Sequence, residues 1–252
     1  MKTLPTLSIA CLSGVLAYAT SLTAQANLIL NGGFESGFAG WTVANQAGSD
    51  GAFHLQTGSL SPLNGNAVPA PPGGLQAAMT DAFGPGSHVL YQDFVVPASI
   101  PNASAGFSLF VGNNAANFFA PATLDFATPA LNQRARVDIM LTSADLFGLA
   151  AGDILQNLYE TVPGDPLMSG YTSSMSDITS LLQAHAGETL RLRIAEVDNV
   201  NFFNLGVDNV EISVVPEPAP LMLLLGVLPM AVGFVIYRSR ALRKTIPAAP
   251  AV

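Results

Sequence analysis

Apolar residues in this chain recur at every second position, in run after run. Phe107, Leu109 and Val111 share one face with Ser108 between them, and Val137, Ile139 and Leu141 alternate with Arg136 and Asp138. Leu190, Leu192 and Ile194 alternate with Arg191 and Arg193; Val210, Ile212 and Val214 alternate with Glu211 and Ser213. A period of two turns one face of a strand to a core and the other away from it, which no helix of 3.6 residues per turn can use. Further strands are expected at Leu28–Asn31, Gly40–Val43, Val89–Val96 and Phe118–Phe126, with Gly, Pro and Asn clusters between them. The longest such connection, Ser59–Gly74, contains Pro69, Pro71 and Pro72 and is expected to be mobile. Helix signals are confined to two places. Ser176 can cap a short helix over Asp177–Ala186, stopped by Gly187, and the spacing in Ser143–Tyr159 permits one or two turns. The fold class is therefore all-β: a two-sheet sandwich with Greek-key or jelly-roll connections and one or two short helices.

Charge narrows the function classes. Only 10% of the 252 residues are charged while 50% are apolar, the opposite of a disordered chain. Residues 27–215 hold sixteen of the seventeen acids and four basic residues, all arginine, for a net charge of about −12. Nucleic acid is excluded as a partner, because phosphates must be met by clustered Lys and Arg. Acidic polymers are repelled too, unless divalent cations bridge them. Solubility alone is the simpler reason for such a surface. Cys11 is the only cysteine, so residues 27–215 can form no disulfide and rely on core burial, with or without a metal.

The two ends carry addresses. Lys2, an apolar run over Leu7–Ala19 and the small-x-small pattern Ala24-Gln25-Ala26 read as a secretory signal peptide, residues 1–26, cleaved before Asn27. Near the other end, Val215-Pro216-Glu217-Pro218 precedes an uncharged stretch, Ala219–Tyr237, long enough for one membrane helix. Arg238, Arg240, Arg243 and Lys244 follow at once and place the body of the protein outside the cytoplasm. In this order and spacing, residues 216–244 resemble the PEP-CTERM sorting signal of Gram-negative bacteria; residues 245–252 run on as a short tail. The resemblance implies recognition of Pro216, Glu217 and Pro218 by an exosortase after export through the secretion machinery. It further implies anchoring in the inner membrane before processing, and a final place at the cell surface or in an exopolysaccharide or biofilm matrix.

The body carries a second resemblance. Asn27-Leu28-Ile29-Leu30-Asn31-Gly32-Gly33-Phe34-Glu35, followed by Gly40-Trp41, looks like the opening of galactose-binding-like jelly rolls, a fold shared by many carbohydrate-binding modules. Asp177-Ile178 through Gly187–Arg193 is similar to the penultimate segment of that fold, and Gly206-Val207-Asp208-Asn209-Val210 to its closing strand. The resemblance implies a structural calcium held by Glu35 and Asp208. Read from the residues alone, Asp208 shares the phase of Val210, Ile212 and Val214 and points to the core rim, where N–H groups or an arginine would serve equally well.

Sugar recognition would call on Trp41, Tyr91, Phe118, Phe119, Tyr159, Tyr171, Phe202 or Phe203, any one of which is more at home in a core. Nothing resembles a nucleophile elbow, a His-Glu-x-x-His helix or a phosphate loop; His54, His88 and His185 lack metal-ligand spacing. The unit Val-Asp-Asn-Val occurs at 197–200 and again at 207–210 around Asn201-Phe202-Phe203-Asn204, which reads as a β-hairpin with Asp198 and Asp208 near one rim. Asn102-Ala103-Ser104 matches a glycosylation pattern by chance. The expected function is a non-enzymatic exported surface or matrix protein; the alternative is a module that binds a matrix polysaccharide, and a glycan-active enzyme comes third.

Overall fold

The computed structural model describes residues 25–215. Ala24, the sorting motif Pro216–Pro218, the 219–237 span and the basic cluster lie outside the described residues. Among those described, no helix is long and apolar enough to cross a membrane.

Among the described residues, eleven strands and one short helix follow in order: β1 (Ala26–Asn27), β2 (Thr42–Asn45), β3 (Ala52–Thr57), β4 (Gln76–Asp81), β5 (Gly86–Val95), β6 (Asn102–Asn113), β7 (Gln133–Leu141), β8 (Ile154–Glu160), β9 (Thr172–Asp177), α1 (Thr179–Ala184), β10 (Thr189–Asp198) and β11 (Phe203–Val215). They form two antiparallel sheets. Sheet A runs β3-β4-β11-β6-β9, with β1 beside the far end of β11; sheet B runs β2-β5-β10-β7-β8. This is the strand arrangement of a jelly-roll-type sandwich.

The alternation seen in the sequence builds the core. Leu190, Leu192 and Ile194 of β10 face Leu90 and Phe94 of β5 and Val137 and Ile139 of β7 on the inner side of sheet B. Phe107, Leu109 and Val111 of β6 and the apolar residues of β11 line sheet A. In β11 the phase changes midway. Phe203, Leu205 and Val207 face the core before a bulge at Asp208–Glu211, and Val210, Ile212 and Val214 face it afterwards. Asn209 takes the extra residue with φ +52°. Asp208 therefore points away from the core face, not toward it as the sequence reading had it.

Parts of the outer faces are covered as well. On sheet A, Val68 packs with Met79, Phe110 and Tyr171. On sheet B, Leu124, Phe126, Leu146, Phe147 and Leu149 cover Val89, Ala195 and Val197. Polar partners in the alternation are buried beneath these loops. Arg193 is fully buried; it donates to the Leu146 and Gly148 carbonyls and, with Arg136, to Asp138. Both arginines hold the Asp138 carboxyl below its ordinary value despite a burial that pushes it up.

Several expectations are corrected. Residues 28–31 are not a strand. Asn31 (φ +51°) folds the chain into a turn, its amide donating to the Gly37 and Ala39 carbonyls and its own carbonyl accepting the Trp41 indole N–H. Phe118–Phe126 is a covering loop with one strand-like bridge, Phe119 to Gln133, held otherwise by side chains of Ser87, Asn132 and Arg134. The Ser143–Tyr159 region ends in a strand, β8, not in helical turns. Helix α1 starts two residues later than expected: Ser176 sits in β9, and the neighbouring Asp177 accepts the Thr179 N–H instead. The Ser59–Gly74 connection is pinned. Fully buried Asp81 accepts N–H bonds from Leu63 and Asn64 and from the Asn64 side chain, and Gln56 donates to the Pro69 carbonyl. The strands flanking the Val-Asp-Asn-Val repeat are no hairpin, since β10 and β11 belong to different sheets.

Candidate functional site

At one end of sheet B the inward-facing rows change character. Continuing along β10 past Ile194, the next inward positions are Glu196 and Asp198; on β5, past Leu90, they are His88 and Gly86. Register sets Glu196 opposite His88 and Asp198 opposite Gly86. The ligand atoms of His88, Glu196 and Asp198 all lie within 4.8 Å of one another, and all three residues are buried. A Cβ on Gly86 would collide with His88 Nε2, so the glycine makes the space the imidazole occupies. Burial is the main cause of every titration change here. It pulls His88 down to about 4, pushes Asp198 up to about 8 and raises Glu196 well above its usual range.

Above Asp198 the surface opens into a cavity of about 250 Å³, lined by residues 82–85 and 198–202. The β4–β5 turn supplies Phe83, Gly84 and Pro85; the crossover from β10 to β11 supplies Asn199, Asn201 and Phe202. Phe83 is 74% exposed, and its backbone N–H donates to the Asp50 carboxylate. Asn199 and Asn201 are fixed by their own side-chain amides, which donate to the carbonyls of the 126–130 loop and of Asn114.

The other aromatics named from the sequence are engaged elsewhere. Trp41 stacks on Phe34 in the core, and Phe118 meets Phe203 there. Arg191 lies 4.2 Å above the Tyr91 ring, and the Tyr171 hydroxyl donates to Gln56. Phe119 and Tyr159 are half-buried. Only Phe202 of that set reaches the cavity. Phe83 was missed because a lone aromatic after Ala82 and before Gly-Pro carries no periodic signal.

Glu35 and Asp208 do converge on one segment. Asp208 accepts the Gly73 and Asn209 N–H groups, and exposed Glu35 accepts those of Leu75 and Gln76 through one oxygen. Burial raises the Asp208 carboxyl, its two N–H bonds counter this, and the Glu35 charge adds to the rise. N–H dipoles aimed at three of the four oxygens stabilise the anions as they stand and oppose a cation at the same atoms. The residues fit a backbone clasp and do not fit a dedicated calcium site. Asp198 has a different partner, the Gly86 N–H, and does not share this site. His185 ends α1 and meets Glu188 at 2.8 Å.

No family model matches this chain, and no curated protein does. Several solved structures are similar in shape. The K3 cleaved adhesin domain of Lys-gingipain from Porphyromonas gingivalis w83 is 14% identical with a TM-score of 0.46, over 75% of this chain and 99% of that one. TmCBM61 in complex with β-1,4-galactotriose is 13% identical with a TM-score of 0.42, over 74% and 97%. A Stig cyclase, Fisc, from Fischerella sp. TAU is 17% identical with a TM-score of 0.43, over 77% and 100%. At these scores the architecture rests on the strand order described above.

Proposed function

We propose that the protein is an exported, non-enzymatic surface or matrix component whose β-sandwich binds a neutral polysaccharide at the 82–85/198–202 cavity. One observation carries this reading: an exposed aromatic ring, Phe83, lines a cavity that also holds Phe202. An aromatic face takes the C–H side of a sugar ring. The net charge of about −12 over residues 27–215 selects against anionic polymers. Catalysis of glycoside cleavage is not part of the proposal. The close carboxylate pair, Glu196 and Asp198, has Glu196 only 1% exposed, out of reach of a substrate that must lie between the two acids.

The address at either end fits the same reading. The sorting resemblance at Pro216–Pro218 would hand the body to an exosortase just beyond β11, with the apolar segment 219–237 as a temporary inner-membrane anchor. Affinity electrophoresis of the protein through gels containing neutral or anionic polysaccharides tests the binding claim. Retardation by a neutral polymer, reduced about tenfold or more in Phe83→Ala, is expected. Equal mobility in every gel would overturn it.

A further inference from the structure

We infer that His88, Glu196 and Asp198 form a binding site for one divalent transition-metal ion, of the zinc or manganese class. The argument starts from charge. Two carboxylates are buried side by side with no cationic side chain to neutralise them. Residues 27–215 contain no lysine, and each of their four arginines is committed to another acid: Arg134 to Glu160, Arg136 and Arg193 to Asp138, and Arg191 to Asp93. Only protons or a metal ion can balance the pair.

Geometry favours the ion. His88 is 1% exposed, and its Nδ1 lies 2.9 Å from Asn45 Oδ1. With Nδ1 donating to Asn45, Nε2 presents a bare lone pair, the arrangement in which ligand histidines are held by an outer partner. That Nε2 has no hydrogen-bond partner, and neither has Glu196 Oε1. Two orphaned, buried polar atoms therefore belong to a trio of residues that bring one ligand atom each within 4.8 Å of the others. Ligand atoms no more than 4.8 Å apart close onto an ion with bonds of about 2.0–2.3 Å by side-chain rotations. The surrounding charges agree. Asp50 adds negative potential at both His88 and Asp198, and its backbone carbonyl favours the charged imidazole; His54 opposes it and itself carries an unpartnered buried Nε2. A donor set of one imidazole nitrogen with carboxylate oxygens suits zinc or manganese better than calcium, which takes six or more oxygens. Entry is available, because Asp198 also lines the open cavity. The inference holds whether or not that cavity takes a sugar.

The test uses the untagged full chain, stripped with chelator and dialysed against zinc, manganese or calcium chloride, with bound metal measured by plasma mass spectrometry and unfolding followed by heat. The expected result is about one equivalent of zinc or manganese per chain and a melting temperature raised by about 5–10 °C. Glu196→Gln and Asp198→Asn should lose the ion and the shift, while metal-free Glu196→Gln melts no lower than the metal-free wild type, since it removes a buried acid. Glu35→Gln should keep the ion. The inference is overturned by an absence of stoichiometric uptake, by uptake of calcium alone, by unchanged binding in both Glu196→Gln and Asp198→Asn, or by loss of binding in Glu35→Gln.

Discussion

Individual charges inside this sandwich do more than its alternation pattern suggests. Asp138 is fully buried, accepts paired bonds from Arg136 and Arg193 and a further one from Asn157, and so neutralises two arginines shut beneath the loop containing Leu146 and Gly148. Replacing it with Asn would strand both guanidinium groups. The expected loss is about 3–5 kcal/mol, measured by urea unfolding. Asp81 and Asp138 both have carboxyls held below the ordinary value of 3.8. Their contribution is complete above that value and is lost as pH falls through the lower folded-state values. Heat unfolding between pH 5 and 2 should show this as an accelerating fall in melting temperature, blunted in the Asp138→Asn protein. At this scale the sequence was only half legible. Leu190, Leu192 and Ile194 face the core as their spacing requires. The burial of Arg193 was hidden, because a period of two tells which residues share a face but not whether a distant loop covers it.

At the level of elements, strands with strong alternation were readable and those without it were not. β4, with Ala77, Ala78 and Met79 in an unbroken buried run, and β9, rich in Ser, offer no periodic contrast. Both are strands because β11 and β6 supply the ladder beside them. The bulge in β11 is a related case. Nothing in Gly206–Val210 announces a change of phase, yet the bulge turns Asp208 outward to hold Gly73. Glu35 completes that clasp by accepting the Leu75 and Gln76 N–H groups. Glu35→Gln should therefore raise amide exchange at Leu75 and Gln76 several-fold while leaving β6 and β10 unchanged, read by hydrogen–deuterium exchange. Calcium should not protect these amides in the Glu196→Gln protein, since the clasp oxygens are already engaged by N–H donors. A calcium-dependent slowing of exchange there would restore the Glu35–Asp208 ion site.

For the whole molecule, the first and last strands lie side by side. Ala26 pairs with Val214 and Asn27 with Ser213, so the described chain begins and ends at the same end of sheet A. Asn27 secures the joint through its side chain, which accepts the Ile29 and Ile212 N–H groups. A new N-terminus at Asn27 would keep both bonds, and removal of residues beyond Val215 would leave every described strand whole. On this account Glu217→Gln leaves export intact but causes full-length protein to accumulate in the inner membrane, visible by fractionation and blotting. The account as a whole stands on the folded body working outside the cell once its address segments have been used. Intact-mass analysis of the protein recovered from its producing cells tests this most directly. The predicted result is a surface or matrix species that starts at Asn27 and is processed near Pro216–Pro218; a soluble cytoplasmic species with both ends uncut would contradict it.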